Sequence, residues 1–135
     1  MLHLAVTGFE GDPDEVTAIL GLNPTLTGRR GEPSRSGRLR TFNGWWMAKG
    51  EERLTDGREH NDALDQILAT LDGRAEQFAR LRQTLSPTQV TIYGGLYHRP
   101  DEQCGIWLDP AQMKVLVDCG VGWGLDIFEV DPNDM

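Results

Sequence analysis

Arg29, Arg30, Arg35, Arg38 and Arg40 fall within one short stretch, RRGEPSRSGRLR, and gather five of the chain's thirteen positive charges. Guanidinium groups hold phosphate or carboxylate in forked pairs. Arg29, Arg30, Arg38 and Arg40 therefore form either a clamp for a small anion or a docking arm for an acidic partner. The plain alternative is a solvated loop, partly neutralised by Glu51, Glu52, Asp56 and Glu59. Gly, Pro and Ser between the arginines mark a loop and give no phosphate-loop pattern.

Aromatic residues form the second constellation. In VTIYGGLY, Val90, Ile92 and Leu96 share one face of a strand, so Tyr93 and Tyr97 point to the other. In CGIWL, Cys104, Ile106 and Leu108 face inward and Trp107 outward. Trp45 and Trp46 must split between faces, one entering the core and the other, taken here as Trp46, joining the outer aromatics. If helices cover only one side of the sheet, these rings crowd the open side, and an exposed aromatic patch on a soluble protein marks a partner or ligand surface. The competing expectation is that a loop, a terminus or the Arg segment lies across them. A bulge at Gly94-Gly95 would shift the register and the faces with it.

Reaction chemistry finds little support. There is no G-x-S-x-G, H-E-x-x-H or C-x-x-C pattern. His3, His60 and His98 lack metal-ligand spacing with one another. HRPDEQC brings His98, Asp101, Glu102 and Cys104 near one turn, but such turns are commonly polar for solubility, and no metal or cofactor is expected. Asp126 faces outward if Leu125 and Ile127 face the core, so it joins the candidate surface, as a binding group or an acid–base without a specified substrate. Cys104 and Cys119 read as buried free thiols in a reducing cytoplasm.

The elements that hold these groups follow from patterning. At 135 residues the chain suits a single domain, 1–135, large enough to bury about two thirds of its unfolded surface. Its formal net charge of −8 opposes contact with nucleic acid or anionic membrane. The charge is uneven: five arginines and Glu32 give residues 29–40 a net +4, while eight other cations and twenty other acids leave the rest at −12. The opening segment has no basic leader, and no apolar run reaches membrane-spanning length. Leu2, Leu4 and Val6 alternate as a half-buried strand. Asp12, Pro13 and Glu15 announce a capped helix that Gly21 closes, and Asp109, Pro110 and Gln112 repeat the signal. Three-and-four spacing from Leu64 to Leu85 predicts one long helix, bent at Gly73 and ended by Ser86-Pro87. VTIYGGLYH and CGIWL predict a hairpin turning at RPDEQ, and GLDIFEV predicts the last strand before a polar tail. The sum is an α+β two-layer sandwich: a mostly antiparallel sheet of about five or six strands, with one long and two short helices packed on one face.

Several of these pieces together resemble a family of small bacterial domains of unknown function, catalogued as family forty-two seventy-nine. They are DPDEVTAILGLNPT at 12–25, RRGEP at 29–33, GWW at 44–46, the long helix, and LDIF at 125–128. The resemblance implies a small bacterial or phage-borne α+β domain, and no catalytic residues come with it. The expected function is a non-catalytic protein-binding or accessory module, with an immunity-like role as one case, since an acidic protein can neutralise a basic toxin. The alternative is an anionic-ligand binder that folds the Arg segment over the aromatic face.

Overall fold

The structure, a computed structural model, describes residues 1–52, 57–131 and 133. Nine elements follow one another: β1 (Leu2–Thr7), α1 (Pro13–Leu20), β2 (Leu26–Gly28), β3 (Gly44–Lys49), α2 (Gly57–Leu71), α3 (Ala75–Leu85), β4 (Gln89–His98), α4 (Pro110–Cys119) and β5 (Gly122–Glu129). The sheet is open, in the order β2-β3-β1-β4-β5. Its first three pairings are antiparallel and β4–β5 is parallel. The fold is α+β.

β1 lies at the centre because its core-facing residues are the most apolar. Leu2, Leu4 and Val6 are fully buried, opposite Met47 and Trp45 on β3 and Ile92 and Val90 on β4. The same cluster takes in Val16 and Leu20 of α1, Leu64, Ile67 and Leu71 of α2, Phe78, Leu81 and Leu85 of α3, and Leu116 of α4. All four helices thus bury their apolar stripes against one face of the sheet.

Both Asp-Pro signals do what their spacing predicts. Asp12 and Asp109 cap α1 and α4, each completing a capping box with the residue three positions on, and Gly21 and Gly120 close those helices in the left-handed conformation. Side-chain oxygens take up backbone donors that the first turn leaves unpaired.

Two expectations need correction. The long helix is two helices. Gly73 adopts φ +78°, a left-handed conformation that cannot continue a right-handed helix. Arg74 fixes the break: its Nε donates to the Leu20 carbonyl (3.1 Å) and its Nη1 to the Thr70 carbonyl (2.7 Å), satisfying the ends of α1 and α2 together. The apolar periodicity survives the break because α2 and α3 bury into one core. The hairpin is absent as well. Residues 99–109 form no strand, although Cys104, Ile106 and Leu108 still pack inward. The edge of β4 that CGIWL was to occupy belongs to β5, reached through α4. A parallel pairing needs a crossover of a dozen or more residues, and the chain between β4 and β5 supplies it.

Among the described residues no helix is long and apolar enough to cross a membrane. Pro132, Asp134 and Met135 of the polar tail lie outside the described residues.

The break at Gly73 predicts a sign. Alanine in a continuous helix would stabilise by about 1 kcal/mol. Here Gly73→Ala must hold φ +78° and should destabilise by about 1 kcal/mol. Urea unfolding midpoints of the two proteins decide between them.

Candidate functional site

The Arg segment is an ordered finger. Pro33 and Leu39 form a bridge, and paired backbone bonds join Gly31 to Arg40, Arg40 to Glu32 and Ser34 to Arg38 (2.7–2.8 Å). Its tip is the turn Ser34–Gly37, where the Gly37 amide bonds the Ser34 carbonyl and Gly37 takes φ +83°. Asn43 secures the base. Its Oδ1 accepts from the Arg30 amide (2.8 Å), and its Nδ2 donates to the Phe9 and Gly11 carbonyls (3.0 Å each).

The arginines part company on this finger. Arg29 is held within the chain: Nε lies 2.7 Å from Asp12 Oδ2 and Nη2 3.0 Å from Asp12 Oδ1, with Asp14 and Glu32 close by. Asp12 thereby caps α1 and anchors the finger together. The hydrogen bond from Arg29, then that from the Asp14 amide, holds the Asp12 carboxyl below the ordinary carboxylate range. Arg30, Arg35 and Arg38 are exposed, and among the described residues neither they nor Arg40 ion-pair with a carboxylate. Asp56, one of the acids expected to neutralise the segment, lies outside the described residues.

Arg40 lies over the Trp46 ring, its guanidinium carbon 5.5 Å from the ring centroid. Both side chains lie flat because Gly28 and Gly44, opposite each other on β2 and β3, leave room: a Cβ at Gly28 would meet Arg40, and one at Gly44 would meet Trp46. Glycine in a strand commonly marks such a close approach.

The tryptophans divide as the alternation requires. Trp45 is fully buried and donates to Thr17 Oγ1 of α1 (3.0 Å), while Trp46 points to the other face. No bulge interrupts β4, so Tyr93 and Tyr97 point to that face as well. His3 of β1 stacks on Tyr93, with centroids 5.1 Å apart, and Phe128 of β5 stacks on Tyr97 at 5.2 Å. Burial, then the nearby amino terminus, holds His3 below its ordinary range, and burial raises the Tyr93 phenol; both rings favour their neutral forms. Asp126, opposite Gly95 on the same face, is exposed. A diagonal of rings thus crosses four strands from the Arg finger toward the β5 edge.

Trp107 is 77% exposed but sits in the irregular 99–109 segment, so strand pairing does not bring it to this face. His3 and Phe128 were missed. The parity of Leu2 and Leu4 implies the first, and the parity of Asp126 the second. No cluster among the described residues could hold a metal ion, so the 98–104 turn builds no such centre. Cys119 is buried and Cys104 half-buried, both free, and burial raises both thiols. A depression of about 460 Å³ opens between the 8–11 turn, Arg30 and Phe42. Glu10 on its wall and the acidic first turn of α1 make it a poor anion site beside a single arginine.

These features define a small α+β domain with one sheet face covered by helices and the other left to aromatic and charged side chains. The chain belongs to the family described as Domain of unknown function (DUF4279), whose model matches residues 1–128. No match to the chain was found among curated proteins or among solved structures.

The divided roles of the arginines predict divided effects. Arg29→Glu should lower the urea midpoint, whereas Arg38→Glu should leave it unchanged. Asp12→Asn keeps the capping geometry and removes the charge. Because the folded-state pKa of Asp12 is depressed, its ionic contribution is present above the unfolded pKa and disappears as pH falls through the folded one. The midpoint difference between wild type and Asp12→Asn should therefore be clear at neutral pH and close in strong acid.

Proposed function

We propose that this domain is a non-catalytic binding module that recognises a protein partner through the uncovered sheet face and the Arg finger beside it. The observation that carries the reading is the row Trp46, His3, Tyr93, Tyr97 and Phe128 on the face away from the helices, with Tyr93 40% exposed. Apolar rings left in water forgo their transfer free energy, and aromatic and arginine side chains are the residues that dominate interface energetics. Arg30, Arg38 and Arg40 favour an acidic patch on the partner, although the chain as a whole carries a net charge of −8. Asp126 would meet a donor or cation at the far end of the diagonal. Nucleic acid and membrane are not proposed partners, because the net charge repels both.

A second reading, a small anionic ligand, is favoured by one observation, the Arg40 guanidinium laid over Trp46. An anion with a flat apolar portion would meet both groups. The two readings part in a thermal-shift screen of nucleotides, sugar phosphates and dicarboxylates. A ligand at a hundred times its Kd adds about 2.7 kcal/mol of stability, so a flat screen removes the second reading.

The first is tested by site-specific photo-crosslinking in the native cell. A photoreactive side chain at position 93 should form protein adducts, whereas one at exposed Ala79 of α3 should not. For the partner so identified, Trp46→Ala and Tyr93→Ala should each weaken binding by about 2 kcal/mol, roughly thirtyfold. Adducts from position 79 alone would place recognition on the helical side and refute the reading.

A further inference from the structure

β5 is an edge strand whose charged residues are Asp126 and Glu129, the latter sharing the core-side parity of Leu125 and Ile127, and it lacks other devices that usually protect an edge. From Gly122 to Glu129 it carries no proline and no lysine, and its ladder with β4 runs without a bulge. The opposite edge, β2, is protected by being three residues long. Six of the eight β5 residues are exposed, including Ile127 at 57% and Phe128 at 45%, so among the described residues nothing covers this edge. Among the described residues no backbone group of β5 bonds on the side away from β4.

The glycines of GWGLDIF add a second observation. Gly124 has no positive φ, and a Cβ there would meet nothing within 4 Å. Gly122 also lacks a positive φ, but a Cβ there would lie 3.3 Å from Thr91 Oγ1 and 3.7 Å from both Thr91 Cβ and the Val90 carbonyl oxygen. The chain itself thus gives Gly124 no conformational or packing reason to be glycine, although glycine weakens a strand.

We propose that β5 pairs antiparallel with β5 of a second copy of this chain, in a register centred on Leu125. Residues directly opposite in an antiparallel pair share a face, so a two-fold register must centre on a residue. Centring on Asp126 sets that carboxylate against its own copy, and centring on Ile127 sets Leu125 against Glu129. Centring on Leu125 sets Asp126 against Gly124 and Phe128 against Gly122. On the core side Ile127 then covers Trp123 and Leu125 meets itself. Each exposed side chain on the open face then faces a glycine, which gives Gly124 a reason that the chain itself does not supply.

The paired edge is about 23 Å long at roughly 3.3 Å per residue. The contact is one strand edge with its flanking side chains, below the size of a standard specific interface. The dimer therefore forms in the micromolar range. No ion pair holds it, and each copy carries −8, so added salt strengthens it by screening the repulsion.

Sedimentation equilibrium of the full chain near 100 µM should give twice the 15.1 kDa monomer mass. The dimer fraction should rise from low to moderate salt. Ile127→Lys should give the monomer mass with an unchanged circular dichroism spectrum. Under mild oxidation Leu125→Cys should yield a disulfide-linked dimer well above the native background of Cys104 and Cys119, and Ile127→Cys should not. A monomer at this concentration overturns the proposal. So does cross-linking through position 127 rather than 125, and so does a dimer that salt weakens and Arg38→Glu abolishes, since that contact would join the Arg finger to an acidic surface. The outcome is independent of whether the open face binds a partner.

Discussion

Leu2, Leu4 and Val6 leave water to pack beneath four helices, and His3, on the same strand, cannot follow them. A strand sends alternate side chains to opposite faces, so the burial that makes β1 the centre of the sheet also commits a second set of residues to the other side. Through the register, that set includes Trp46 opposite Ala5, Tyr93 opposite His3, and Phe128 opposite Tyr97. The candidate surface is thus a geometric consequence of the core. The helices fix it more firmly than any contact among the rings, because a slip of one residue in any strand would expose the leucines.

Arginine does structural work in this fold that its charge count conceals. Arg74 and Arg80 donate to the last carbonyls of α1, and Arg82 to the Cys119 and Gly120 carbonyls at the end of α4. Helix C-termini leave carbonyls unpaired and carry a partial negative charge, and a guanidinium answers both. Arg29 answers the acidic N-terminus of α1 by pairing with Asp12. The arginines of the finger that remain, Arg30, Arg35, Arg38 and Arg40, stand apart because their positions reach no helix end. The contrast between arginines held at helix ends and those without a carboxylate among the described residues locates the uncompensated charge more sharply than the density of the RRGEPSRSGRLR stretch does.

Local signals were legible in the sequence and long-range ones were not. Asp12-Pro13 and Asp109-Pro110 set their helices because a cap is decided within four residues. The facing of Tyr93 and Tyr97 and the division of Trp45 from Trp46 followed from period-two alternation alone. The break at Gly73 was hidden because apolar spacing reports which face is buried, not whether the backbone is continuous, and Arg74, which holds the break, acts through carbonyls distant in sequence. The parallel β4–β5 pairing was hidden because CGIWL alternates as a strand does, and alternation cannot say which segment claims an edge. Trp107 is exposed, as its parity suggested, but for the same reason no strand pairing carries it to the open face. The roles of Arg29 and Arg40 depended on Asp12 and Trp46, partners that sequence separation does not reveal.

The proposed pairing through β5 and the proposed recognition through the open face would reinforce each other by symmetry. A two-fold axis perpendicular to the sheet keeps both open faces on one side of a ten-stranded layer. The Tyr97–Phe128 stacks then flank the axis and the Arg fingers stand at the two outer edges. With strands about 4.8 Å apart, β2 of one copy lies roughly 43 Å from β2 of the other. A partner long enough to reach both fingers would engage two equivalent sites, and a second, intramolecular contact can raise affinity by about 10²–10⁴ without any new kind of interaction. A micromolar self-association is suited to that arrangement. Scarce copies would stay separate and bind through one site, while a partner that held two faces together would supply the effective concentration that closes the β5 edges.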